Sequence, residues 1–189
     1  MTLQHIPFEQ FEAKPWKNGL GTTYDIALLP NGADHTSFDL RFALSPIVED
    51  NVFSAFPGIE RVITPVEGEG LGLEFDDAKT QLSLYQSFRF DSALTPMGKP
   101  VSGPIKVINA MARRDSWNIL SCDVTERVEH EISDGEILFL FVLGCCSVHT
   151  GEEQALINKH GAVLVTGATR VSISSVAGTR VLCAHLQPV

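Results

Sequence analysis

This 189-residue chain is poor in several things, and each shortage removes a class of function. Positive charge is scarce, with 14 Lys and Arg against 23 Asp and Glu, for a net charge of -9. Such a balance argues against a nucleic-acid backbone or an anionic membrane as the main partner. Long hydrophobic runs are missing too: the most apolar stretch, Ile137 to Leu143, is far too short to span a bilayer. The opening residues, MTLQHIPFEQFEAKPW, hold neither a basic n-region nor an apolar h-region, so the cytoplasm is the expected compartment. Four cysteines occur, without a CxxC pair or zinc-type spacing, each among apolar or small residues where a thiol behaves as a small hydrophobe.

Histidine is equally unhelpful to a metal. The six are His5, His35, His130, His149, His160 and His185, with no HxH pair and no Glu at ligand spacing. No metal and no cofactor are therefore expected. Nucleophile elbows (GxSxG) and phosphate-cradling GxxxxGK[ST] loops are absent, and GEGLG at 68–72 lacks the GxGxxG spacing of a dinucleotide loop. The acidic residues Glu67, Glu69, Glu74, Asp76 and Asp77 lie among Gly and Lys and read as solvated loop charge.

What the chain does have is period two. In SFDLRFALS, Phe38, Leu40, Phe42 and Leu44 share one face while Asp39, Arg41 and Ser45 take the other. TTYDIALL groups Thr22, Tyr24, Ile26 and Leu28 by the same rule. RVSISSV, RVLCAHL and FRFDSAL are similarly short, and Gly, Pro, Asn or Asp separate them. Many short strands at such spacing define an all-β barrel or sandwich. One turn around Phe8 and Phe11 is the most helix the pattern allows.

The chain also repeats. VSGPIKVINAM (101–111) aligns with VAGTRVLCAHL (176–186) at a shift of 75, and SFRF (87–90) falls on AVLV (162–165) at the same shift. VEGEGLGLEF (66–75) aligns with VLGCCSVHTG (142–151) at 76. Such self-similarity indicates a duplicated barrel, with residues 1–112 forming the first copy and 113–189 the second, packed as one compact unit. In this alignment Arg61 falls opposite Ile137 and Asn109 opposite Ala184. Polar residues occupy the first copy and apolar ones the second. A binding site is thus expected in the N-terminal barrel, leaving the C-terminal barrel structural or a dimer surface.

Three segments carry chemistry. WKNGLG offers Trp16 as an anchor, Lys17 as a cation and the Asn18 amide as donor and acceptor. FSAFPGIER offers Ser54, Phe56 and, at the first position of an apolar strand, Arg61. A guanidinium entering a small barrel must meet an anion or stay at the rim, and Glu60 or a nearby acid is one such partner. KVINAMARR sets Asn109 in mid-strand, where a buried amide needs partners, and Arg113 and Arg114 just beyond. Arg41 is positioned to pair with Asp39 or Asp25 across strands.

On these residues the chain resembles the HutD/Ves family of bacterial double-cupin proteins. The resemblance rests on four motifs in order: PWKNGLGTTYDIA, FDLRFALS, FSAFPGIERVI and VINAMARR. They cover most of the first 115 residues. Departures are Leu20 within the glycine run, Asp25 for a usual Glu, Leu40 and Phe42 around Arg41, and Val107 and Ile108 before Asn109. The resemblance implies a bicupin, two small jelly-roll-type barrels without metal-binding histidines. It also implies a regulatory link to histidine utilisation, or to environmental stress in the Ves branch, through sensing a small carboxylate such as urocanate or a formylated glutamate.

The expected ligand set is Arg61 on the carboxylate, Asn18 and Asn109 on its other polar atoms, Trp16 and Phe56 as apolar walls, and Lys17, Ser54 and Arg113 alongside. The rival reading is a cofactor-independent isomerase or hydrolase acting on a histidine-degradation intermediate, with Lys17 or a pocket carboxylate as acid-base. A third is an interaction module that docks a partner, a second copy included, through its C-terminal barrel.

Overall fold

The computed structural model describes residues 1–15, 21–151, 153–175 and 178–189. The described residues hold nineteen strands, one 3-10 turn at Phe8–Gln10 and no α-helix. They divide into two compact units, Glu12–Ser116 on one side and Met1–Phe11 with Trp117–Val189 on the other.

In the Glu12–Ser116 unit, six antiparallel strands form one sheet. In spatial order they are β2 (Glu12–Pro15), β3 (Thr22–Leu29), β4 (Leu40–Ile47), β11 (Ile105–Arg113), β6 (Ile59–Glu67) and β9 (Phe88–Asp91). A second sheet runs β5 (Asn51–Val52), β10 (Met97–Pro100), β7 (Leu71–Glu74) and β8 (Lys79–Leu82). Ile47, Ile63, Leu71, Leu73, Leu82, Ile105 and Val107 make the core of this unit, with Phe90. Each follows from alternation, since every second residue of a strand projects to the same face.

The register shifts twice in this unit, once between β11 and β6 at Lys106/Val107 and once between β3 and β4, and the second shift matters for the site. Tyr24 and Asp25 pair with Leu44 and Ala43, but Ala27 and Leu28 pair with Phe42 and Arg41, because the register shifts between Asp25 and Ala27. A bulge of this kind places one extra residue in the strand and re-aims the side chains beyond it. Leu28 therefore does not stay with Thr22 and Tyr24, as simple alternation had it; it packs on the cluster of Phe38, Ile59 and Met111.

The other unit repeats the plan. Its larger sheet runs β1 (Thr2–Ile6), β17 (Ala162–Thr166), β14 (Ile137–Val142), β19 (Val181–Pro188) and β12 (Trp117–Thr125). Its smaller sheet runs β13 (Glu129–Ile132), β18 (Thr169–Ser175), β15 (Cys146–His149) and β16 (Gln154–Ile157). Add eight to each strand number and β4-β11-β6-β9 becomes β12-β19-β14-β17, while β5-β10-β7-β8 becomes β13-β18-β15-β16. Backbone conformation repeats as well. Among the described residues two non-glycines have positive φ, Tyr85 at 70° and His160 at 66°, and each comes after the same strand of its copy. The Tyr85 amide donates to the Pro65 carbonyl and the His160 amide to that of Val142.

The chain's first eleven residues do not go with the unit next to them in sequence. Thr2 to Ile6 of β1 lie antiparallel to Thr166 to Ala162, filling an edge of the β17 sheet, whereas the sequence reading had set 1–112 together. Short strands carry no label for a partner far along the chain, so pairing of this kind is decided by the edge that is available. The most apolar stretch of the sequence forms β14, which is buried throughout. Of the cysteines, Cys122, Cys146 and Cys183 are buried and Cys145 is exposed.

Candidate functional site

A cavity of about 770 Å³ opens within the Glu12–Ser116 unit. It exists because the inward faces of β4, β6 and β11 switch from apolar to polar along their length. The core residues Ile47, Ile63 and Val107 occupy one end of these strands. Beyond them, on the same faces, come Ser45 and Arg41 on β4, Arg61 on β6, and Asn109 and Met111 on β11.

Arg61 is the most unusual of these. It is 4% exposed. Its guanidinium lies 5.4 Å from the ring centre of Phe53, 5.6 Å from that of Phe56 and 5.5 Å from that of Phe90. Nη2 donates to the Ser54 carbonyl at 3.1 Å, and Nε has no partner. Among the described residues no carboxylate pairs with it, and Glu60 binds Arg89 instead. Burial, and after it the charge of Arg41, push the Arg61 guanidinium down to about 9. A buried cation without a counter-ion is costly, and costly groups of this kind cluster at binding sites.

Arg41 differs because its charge is spent. Asp25 accepts from Arg41 Nε at 2.8 Å and Nη2 at 2.7 Å, and its other oxygen lies 2.6 Å from His35 Nε2. Of the two partners read for Arg41, the structure selects Asp25. Asp39 goes to Arg113, whose Nε donates to Oδ1 at 2.8 Å and whose Nη2 donates to the Phe38 carbonyl at 2.7 Å. Arg113 thus lines the cavity with its fork already engaged. Arg114 pairs with Asp91.

Asn109 is 5% exposed. Its Nδ2 reaches Ser45 Oγ at 3.4 Å, that hydroxyl is 3.1 Å from Thr23 Oγ1, and Asn109 Oδ1 has no partner. Of the expected ligand set, Arg61, Asn109, Ser54, Phe56 and Arg113 all border this one cavity. Trp16, Lys17 and Asn18 lie outside the described residues; Lys14 and Pro15 just before them are on its wall. Sequence reasoning missed the Asp25–His35 contact, Phe53 and Ser45. Ser45 and Arg41 had a signal, since both are polar on the inward face of an otherwise apolar strand.

Polarity in the second unit is arranged differently. Ile137 and Ala184 had been set opposite Arg61 and Asn109, yet they lie outside the core cluster of that unit, which uses Leu138, Leu140, Val142, Val181 and Cys183. A slip of one residue reverses the face. The inward residues at that level of β14 and β19 are Leu138, Cys183 and His185. His130 Nε2 sits 3.4 Å from Cys183 Sγ, the His130 and His185 rings are 5.8 Å apart, and His185 Nε2 is 3.1 Å from Glu136 Oε2. These contacts form a chain rather than a convergent shell. Among the described residues no three His, Cys, Asp or Glu side chains are grouped to hold a metal ion.

Two copies of one all-β plan, with a buried cation in the first, define a cupin-like double-barrel protein, a bicupin. The chain belongs to the HutD family: residues 8–183 match that family. It is 31% identical over 115 residues to Protein Ves of Citrobacter koseri, covering 60% of this chain and 59% of the relative. An uncharacterised 21.2 kDa protein in the hutC 3′ region of Pseudomonas putida is 31% identical over 108 residues, covering 57% and 56%. In both cases the chain spans less than two thirds of the relative's length. Among solved structures, HutD from Pseudomonas fluorescens SBW25, determined in a formate condition, superposes with a TM-score of 0.83 at 22% identity, over the whole of both chains. No helix among the described residues is long and apolar enough to cross a membrane.

Proposed function

We propose that this chain is a metal-free ligand-binding protein that takes a small carboxylate in its N-terminal barrel and so modulates histidine utilisation. The observation that carries the reading is Arg61, a buried guanidinium whose Nε has no partner and which no described carboxylate neutralises. A carboxylate seated there forms the charge-assisted contacts that the protein itself withholds. Three phenyl rings around the guanidinium keep water away and strengthen that attraction. The cavity, about 770 Å³, admits a small organic acid with room to spare. The histidine-utilisation context rests on family membership and on the hutC-region relative. Calorimetric titration with urocanate, N-formylglutamate, formate and histidine tests the reading. At least one acid should bind the wild type and lose about a hundredfold or more on Arg61→Gln, since the variant removes a charge-assisted contact in a buried site. Equal binding by both proteins would overturn it.

One observation supports catalysis as a second reading. His35 borders the cavity, and buried Asp25 holds its Nε2, which is how an acid-base imidazole is oriented. Incubating the purified protein with the same acids and tracking them by NMR separates turnover from binding.

A further inference from the structure

The side-on face of the Arg61 guanidinium, Nε with Nη2, is shut. Nε is buried without a partner among the described residues, and Nη2 donates to the Ser54 carbonyl at 3.1 Å. The rings of Phe53, Phe56 and Phe90 lie around the group. Phe53, Ser54 and Phe56 all come from one segment, residues 53–58, which joins β5 to β6. A carboxylate engages a guanidinium best through two parallel N–H donors. While this segment is down, Nε is covered and a neutral carbonyl of the chain itself holds Nη2.

The second copy shows that the fold does not need the segment there. Its counterpart of β5 is β13, which pairs with β18 from Glu129 to Ile132, and residues 133–136 turn directly into β14. In the first copy β5 pairs with β10 only at Asn51 and Val52, and residues 53–58 pass over Arg61 before β6 begins. Few backbone bonds tie them down: Phe53 donates to the Pro96 carbonyl at 3.0 Å and Phe56 to that of Ser92 at 2.8 Å. Ser54 and Ala55 are exposed. A short segment with few such bonds and a solvated outer side belongs to the low-stability end of a fold. Gly98 on β10 gives Phe53 its seat, since a Cβ there would meet Phe53 Cε2 at 2.5 Å.

We propose that residues 53–58 form a strap that gates Arg61: the Ser54 carbonyl holds the guanidinium in the ligand-free protein, and an incoming carboxylate takes its place as the strap lifts from Gly98. The inference rests on the carboxylate reading and adds a closed resting state to it.

Locking the strap tests the gate. Val52 and Met97 are partners across β5 and β10, next to the Phe53 bond to Pro96. They therefore form a non-hydrogen-bonded pair, where facing Cα atoms come close enough for a disulfide. The variant is Val52→Cys with Met97→Cys, and exposed Cys145 is changed to Ser so that it makes no cross-link of its own. Titrated calorimetrically with urocanate, N-formylglutamate and formate, the reduced protein should bind as the wild type does. The oxidised protein should bind the same acids about tenfold or more weakly. Gly98→Ala reads the strap without any ligand, because its methyl displaces the Phe53 ring. In that variant the Phe53 and Phe56 amides should exchange hydrogen about tenfold faster, while those of β4 and β11 keep their rates. Equal binding by the oxidised and reduced forms, or unchanged exchange at Phe53 and Phe56 in Gly98→Ala, overturns the gate and leaves the carboxylate reading intact. If no acid binds the wild type, the carboxylate reading fails and the gate goes with it.

Discussion

Replacing Arg61 by Met should make the ligand-free protein more stable. Burial and the neighbouring Arg41 move the guanidinium from 12.5 to about 9. At about 1.4 kcal/mol per unit, holding that charge inside the folded unit costs roughly 5 kcal/mol at neutral pH. In sign, a lowered value for a cation means that the unfolded chain holds its proton more tightly. The cost is therefore fully present at pH 7, and it fades only as pH rises above about 9 and the folded chain releases the proton. Part is returned. The hydrogen bond to the Ser54 carbonyl gives back roughly 2 kcal/mol, and the three phenyl faces together about as much. The net for Arg61→Met is a gain of about 1 kcal/mol, with the unbranched Met stem filling the aromatic slot. For a chain of this length, 1 kcal/mol raises Tm by about 2–4 °C. Differential scanning calorimetry without added acids reads it, and Arg61→Lys, which keeps the charge and loses the fork, should not show the gain. A loss of about 2 kcal/mol or more in Arg61→Met would refute the reasoning, because Arg61 would then be serving the fold rather than waiting for a ligand.

Carboxylate affinity should be flat across neutral pH and fall as pH rises above about 9, where the ligand-free guanidinium loses its proton; titration calorimetry at stepped pH reads the break. Asp25→Asn should cost about 3–5 kcal/mol by urea unfolding, because it strands buried Arg41 without its counter-ion, and adding Arg41→Leu should recover part of the loss. Burial first, and then the charge of His185, hold His130 below the ordinary histidine range. Its contribution to stability is therefore complete above about pH 6.5 and lost as pH falls from there through the lowered folded value, and His130→Gln should flatten the acid side of the Tm–pH curve. Light scattering behind gel filtration decides between the two readings of the C-terminal barrel: a dimer mass supports a dimer surface, a monomer mass a structural role.

The strands were legible because burial on one face writes itself into the sequence at period two, and Arg61 stood out because the face it interrupts is otherwise apolar. The repeat was legible too, and the strand orders of the two copies match at a shift of eight. Three features were not. The register shift at Asp25 leaves no mark, since TTYDIALL alternates well enough without it, yet it is what brings Asp25 and Leu28 to the face that carries Arg41. Strand β1 has the composition of any half-buried strand, so its choice of β17 depends on an edge that exists only in three dimensions. His35 carried no signal because its partner, Asp25, is ten residues back and across a turn. An alignment one residue out of phase set Asn109 against Ala184, and faint identity cannot correct a phase that reverses the face.

The second copy supplies the control for reading the first. It builds the same two strand orders around a core whose cluster is Val, Leu, Ile and Cys, with its histidines linked in a chain to Cys183 and Glu136. The scaffold therefore needs neither a buried arginine nor an unpartnered amide to close. In the first copy the corresponding strands give up apolar packing for Arg61, Arg41, Ser45 and Asn109, and one of the two cations is left without a described counter-ion. Arg41 shows that this sequence can neutralise a buried guanidinium when the fold requires it: Asp25 does so with two short contacts. Leaving Arg61 open beside it, on the next inward-facing strand but one, is then not a deficit of available acids. It is the feature on which the proposed binding of an external anion rests, and a core that merely happens to be polar would have no use for it.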